Sequence, residues 1–151
     1  MSLATADIRD AVVSHALSVG LFDQVNQHAP TNPPGSGLSC AITGDRISSI
    51  RSSGLASLSA RLVLNVQIFY SMQAEPADDI DAVVLGAVDG LFTAYCGDFS
   101  LGGLVRKVDL IGADGEGLGA VLGYVTVDGV EYRVATITLP LVINDVWTEA
   151  S

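Results

Sequence analysis

Charge is scarce in this chain, and lysine is the scarcest part of it. Charged residues fill 16% of the 151 positions, against roughly 25% in an average soluble domain, and Lys107 is the one lysine. Holding a phosphate backbone takes clustered Lys and Arg, so wrapping or reading nucleic acid is not expected. No apolar run reaches the roughly 18 residues of a membrane-spanning helix. The most apolar tract, 136–146, contains Pro140 and ends in Asn144 and Asp145. The opening MSLATADIRD has neither a basic region nor an apolar stretch before a cleavage site, so a secretion signal is not expected either. Cysteines number two, Cys40 and Cys96, far apart and without ligand-like spacing. Two buried thiols in a reducing compartment is the plain reading, and a bridge between them stays open.

Catalytic patterns are missing too. His15 falls on a helical face and His28 in a proline-rich loop, with no HxxxH or ExxH spacing for a metal. Neither histidine has a GxSxG elbow to serve, and neither cysteine has basic neighbours that would make it a nucleophile. Asp78, Asp79 and Asp81 invite a metal or acid–base reading, but at the start of a helix their interaction with its dipole is cause enough. The stretch GADGEGLG, with Asp114 and Glu116, lacks the spacing of a calcium loop. GDFSLGG has no lysine after it and precedes a strand, so it is not a phosphate loop. No enzyme activity, metal or cofactor is expected.

What the chain does have is apolar mass. Hydrophobic residues make up 49% and mean hydropathy is +0.46. A length of 151 residues suits one domain spanning 1–151. The excess apolar surface is most simply hidden between subunits. The net charge of −10 is unevenly placed: residues 1–65 balance Asp7, Asp10, Asp23 and Asp45 against Arg9, Arg46, Arg51 and Arg61, so the whole excess lies beyond them.

Along the chain, 5–19 reads as a helix, with Thr5 as its cap, Ile8, Val12, His15, Ala16 and Val19 on one face, and Gly20 as its stop. Residues 26–37 are loop and 38–43 a short strand. Residues 44–60, GDRISSIRSSGLASLSA, show no period of 2 or 3.6 and read as a long assembly loop, free to move. Within it Arg46 and Arg51 can dock on acidic surface of a neighbour, and Ile47, Ile50, Leu55 and Leu58 gain by being covered. A mobile solvated loop is the equal alternative. RLVLNVQIFY, 61–70, is the clearest strand. A second helix runs over 79–95, with Asp78 or Asp79 as cap and Ile80, Val83, Val84, Ala87, Val88, Leu91, Phe92 and Tyr95 as its apolar face. Strands are expected at 105–111, 124–127 and 130–138, the last two joined by a two-residue Asp128-Gly129 turn. Pro140 weakens the strand pattern beyond 138, and 141–147 runs on toward the C-terminus. The expected class is α+β: a mostly antiparallel sheet of about five strands with two helices packed on one face, in the order α-β-β-α-β-β-β.

From RSSGLASLSARLVLNVQIFY through DDIDAVVLGAVDGLFTAYCGDFSLGG, VRKVDLIGADG and DGVEYRVATITLPLVINDVW, the chain resembles the tail terminator (tail-completion) proteins of long-tailed, siphovirus-like bacteriophages, above all those of actinobacterial hosts. The likeness covers residues 5–147 in order and texture, and the family has no catalytic motif. It implies a structural virion subunit, made in the host cytoplasm, that forms a homohexameric ring at the head-proximal end of the tail. Such a ring caps the tail tube, stops its polymerisation and docks to the head–neck connector. The implied partners are other copies of the chain, the tail-tube protein and the connector, with DNA passing through unbound and no membrane. Six copies at −10 each make an acidic ring whose carboxylates repel the duplex, and Glu75, Asp78, Asp79 and Asp81 are the lumen candidates. Two other functions compete: a neck or head-completion protein, and an acidic soluble binding module, which the dilution of 17 acids among so many apolar residues fits poorly.

Overall fold

The structure, a computed structural model, describes residues 4–22, 24–27, 37–51, 57–72, 77–98, 100–112, 116–127 and 129–148. The first helix, α1 (Thr5–Val19), turns Ile8, Val12 and Ala16 inward. Thr5 is not its cap: Ala4 occupies that position without a side-chain hydrogen bond, and Asp7 in the first turn complements the helix dipole. The helix stops at Gly20, whose φ of 75° suits a residue without a side chain.

Three strands follow: β1 (Gln24–Asn26), β2 (Ser39–Arg51) and β3 (Ser57–Ser71). After a 3₁₀ turn at Ala77–Asp79 comes α2 (Ile80–Gly97). The chain ends in β4 (Lys107–Val108), β5 (Gly119–Val127) and β6 (Val130–Thr148). Asp79 stands at the N-cap of α2 but makes no capping bond, so its interaction there is with the helix dipole. Helix α2 has the length and mean hydropathy, 1.4, of a membrane-crossing helix, and a third of it is buried, on the face of Ile80, Val84, Ala87, Val88, Leu91 and Tyr95.

The strands form one sheet in the order β1-β2-β3-β6-β4, with β5 also on β6. Among the described residues only β1 and β2 run parallel. Strand β6 is the hub: β3 lies along one edge, and β5 and then β4 share the other. Both helices pack on one face, over Cys40 and Ile42 of β2, Leu62, Leu64, Val66 and Ile68 of β3, and Ala135, Ile137, Leu139 and Leu141 of β6. The fold class is the expected one, with the short β1 added.

Four boundaries differ from the sequence reading. The largest concerns 44–60. The described part of that segment is not loop: 44–51 continue β2 and 57–60 begin β3, in a hairpin paired from Arg51↔Leu58 onward. Alternation is written into a strand only where one face is buried, and Gly44 to Ser49 are all exposed. A register shift between Gly44 and Arg46 breaks the period further. Pro140 does not interrupt β6 either. Its carbonyl accepts from Asp109 N–H at 2.9 Å, so its own nitrogen faces the same, β4 side. The missing donor therefore falls on the short strand, and the ladder to β3 is intact through Val63↔Pro140. Strand β5 starts earlier than expected, at Gly119, and 105–111 shrinks to the two residues of β4. The tight hairpin is as expected: Val127 pairs with Val130, and Gly129 has φ 82°.

Candidate assembly surface

The sequence candidates scatter over two regions. On the β2–β3 arm, Ile47 is 51% exposed, and Ile50 and Leu58 are half-buried. Arg46 Nη2 donates to Glu116 Oε2 at 3.2 Å between two exposed side chains, so its charge is answered within its own chain. Arg51 ends β2 opposite Leu58, and Leu55 lies outside the described residues. Among the lumen candidates, Asp78, Asp79 and Asp81 are exposed around the start of α2, and Glu75 lies outside the described residues. Asp78 and Asp81 line a shallow cleft of about 320 Å³ with Met72, Ile80 and Tyr124. Asp81 is not a free charge: its Oδ1 accepts from Arg133 Nε at 2.8 Å. Arg133 also donates to Gly123 O and lies 4.4 Å over the Tyr124 ring. The Asp81 bond is the main cause holding the Arg133 guanidinium above its ordinary pKa, against a smaller desolvation effect.

Three arrangements leave no trace in the sequence reading. On the sheet face away from the helices, Arg61 is buried beside the equally buried Asp109, 4.0 Å away, and donates to the carbonyl of Glu116. This ties the segment after β4 across β6 and β3 toward β2. Gly117 belongs to the same turn, where a Cβ would meet Gly112 N at 2.8 Å. On the other face, His15 joins the helices: its ring nitrogens lie 2.8 Å from Ala11 O and 3.0 Å from Asp98 Oδ2, and its ring stacks on Tyr95. Such long-range polar pairs carry no local sequence signal. The third is the Arg133 cluster, which joins residues 52 apart.

The cysteines are both free, Cys40 buried and Cys96 exposed. Burial pushes the Cys40 thiol from 9.0 up to about 12. Burial, and secondarily Cys40, raises the Tyr95 hydroxyl as well. A group that holds its proton more tightly when folded stabilises fully below its unfolded pKa and loses that contribution as pH rises. Unfolding free energy is therefore expected to fall from about pH 9 toward 12, by up to about 1.4 kcal/mol per pH unit for one group. Urea titrations at stepped alkaline pH check this, and Cys40→Val is expected to flatten the first part of the slope.

Among the described residues no group of three or more His, Cys, Asp or Glu is placed to hold a metal. The surface instead carries large apolar side chains in solvent: Val121 (75% exposed), Tyr124 (61%) and Val125 on β5, Ile47 on β2, and Leu17 and Leu85 on the helices.

No family model matches the chain, and no curated protein matches it. Among solved structures, a chain from the "Virion of native gene transfer agent (GTA) particle" is similar, at 14% identity and a TM-score of 0.39, over 91% of this chain and 90% of that one. A likeness of that degree assigns neither residues nor role.

Proposed function

We propose that this chain is a structural virion protein, without catalytic activity, that forms a ring, caps the head-proximal end of a tail tube, stops its polymerisation and docks to the head–neck connector. The observation that carries the reading is the apolar side chains standing in solvent on β5, Val121 and Val125 on one face and Tyr124 on the other, in a chain with so little charge. A surface of that kind is stabilised when another protein covers it. The order and texture of residues 5–147 supply the kind of assembly, through their resemblance to tail terminators.

Within this reading Asp78 and Asp79 remain candidates for a surface that lets DNA pass without binding, because phosphate and carboxylate repel. Asp81 is the weaker candidate, since Arg133 neutralises it. The test is elongation of tubes from a phage tail-tube protein. Added during growth, the protein is expected to shorten the tubes and to remain at one end of each. Tubes of unchanged length with no protein at their ends would contradict the reading.

A further inference from the structure

The sheet has two open margins, and they fit each other. Strand β1 covers β2 only at residues 39–41, so among the described residues the outer edge of β2 is bare over 42–51. At the opposite margin, among the described residues β5 pairs with β6 alone, leaving its outer edge bare over Gly119–Val127. Natural sheets guard such edges with lysine, proline or other charge. The β5 sequence, GAVLGYVTV, has no charged residue and no proline. On β2 the exposed charges among the described side chains are Asp45 and Arg46, and Arg46 is paired with Glu116 of its own chain, so β5 is the less guarded of the two edges.

We propose that copies of this chain join edge to edge, the bare stretch of β2 in one copy adding to β5 of the next. The proposal rests on the self-assembly reading above and names the surface that performs it. Strand direction favours this pairing. Successive antiparallel steps from β2 to β3, β6 and β5 leave β2 and β5 running oppositely. Copies related by rotation share one orientation, so the new ladder is antiparallel, the more stable kind per residue. Because two different margins meet, the contact is heterologous, and it propagates beyond a pair, into a ring where the rotation between copies closes. The margins are also staggered. Gly123 of β5 lies level with Val134, Phe69 and Ser39, whereas the bare run of β2 centres near Ile47. A closed sheet absorbs such a stagger by tilting its strands. Of the exposed apolar side chains, Tyr124 shares with Ile47 the sheet face that carries the helices, whereas Val121 and Val125 lie on the other face, so Ile47 and Tyr124 are the pair that can add to the ladder.

Two variants test it, Ile47→Lys on β2 and Val121→Lys on β5, both at exposed positions and each checked for native circular dichroism. Masses are measured by light scattering, with tail-tube protein added if the parent chain needs it to assemble. The expected result is that each variant alone stays a single chain, while an equal mixture stops at two chains, because each has kept one working edge. If Ile47→Lys assembles normally and Val121→Lys does not, β5 meets something other than β2 and the proposal is wrong. If both assemble like the parent, the edges are not used; the proposal falls and the assembly reading stands. If the parent chain itself never exceeds one copy, both fall. Backbone hydrogen exchange on the parent chain is the second measurement. Slowing over 42–51 and 119–127 on assembly is expected, and unchanged exchange at either strand overturns the pairing.

Discussion

Replacing Arg61 with alanine is expected to lower the free energy of unfolding by roughly 3–5 kcal/mol, the usual cost of breaking a buried ion pair from one side. Arg61 and Asp109 are both buried, 5% and 1% exposed, so removing the guanidinium leaves the Asp109 carboxylate in a poorly solvated place without its nearby positive charge. The Glu116 carbonyl loses its donor in the same step, but Glu116 is exposed and water can replace that bond. The contact also fixes the segment that leads into β5, so the loss is expected to appear in hydrogen exchange around Leu118 as well as in urea unfolding. The double change Arg61→Met with Asp109→Leu is expected to recover part of the stability, because apolar residues of similar volume often replace a buried pair at little cost. A single-variant loss under about 1 kcal/mol would mean that the pair behaves as a solvated one.

Tyr95→Ala is the other large effect, expected at about 3–5 kcal/mol. The side chain is fully buried where α1, α2 and the sheet meet, stacked on His15. Truncation opens a cavity that rigid neighbours such as Val12 and Leu91 do not fill. Tyr95→Phe separates volume from hydroxyl. The hydroxyl reaches Val12 O only at 3.5 Å, a long hydrogen bond, so its removal is expected to cost under about 1 kcal/mol. Thermal unfolding of the three proteins checks the order, and a Phe variant as unstable as the Ala variant would contradict it.

The parts of the fold legible in sequence are those where burial on one face imposes a period. Helix α2 repeats its apolar positions from Ile80 to Tyr95, and β3 alternates from Leu62 to Ile68; the helix is legible with nearly correct bounds, and the strand except for its first four residues, 57–60, which read as loop. The arm of β2 and β3 is not, because its solvent-exposed residues, Gly44 to Ser49, leave nothing to alternate. Pro140 misleads for a different reason: its effect depends on which neighbour faces its nitrogen, a fact of topology. The interface candidates drawn from 44–60 read as loop residues, whereas the described ones lie on strands. The apolar margin of β5 has no sequence signal of its own, because exposure of Val121 and Tyr124 depends on which edge of β6 the strand occupies. Arg61 looks like a solvated strand residue, and only the long path of the chain after β4 explains its burial.

The central claim is that this chain covers its apolar surface with further copies of itself. Its mass in solution by light scattering, followed by negative-stain imaging of the same sample, tests that most directly. Closed rings of several copies, or single chains that convert to rings when tail-tube protein is added, are the expected result. A uniform single chain, indifferent to tube protein at every concentration, would contradict it.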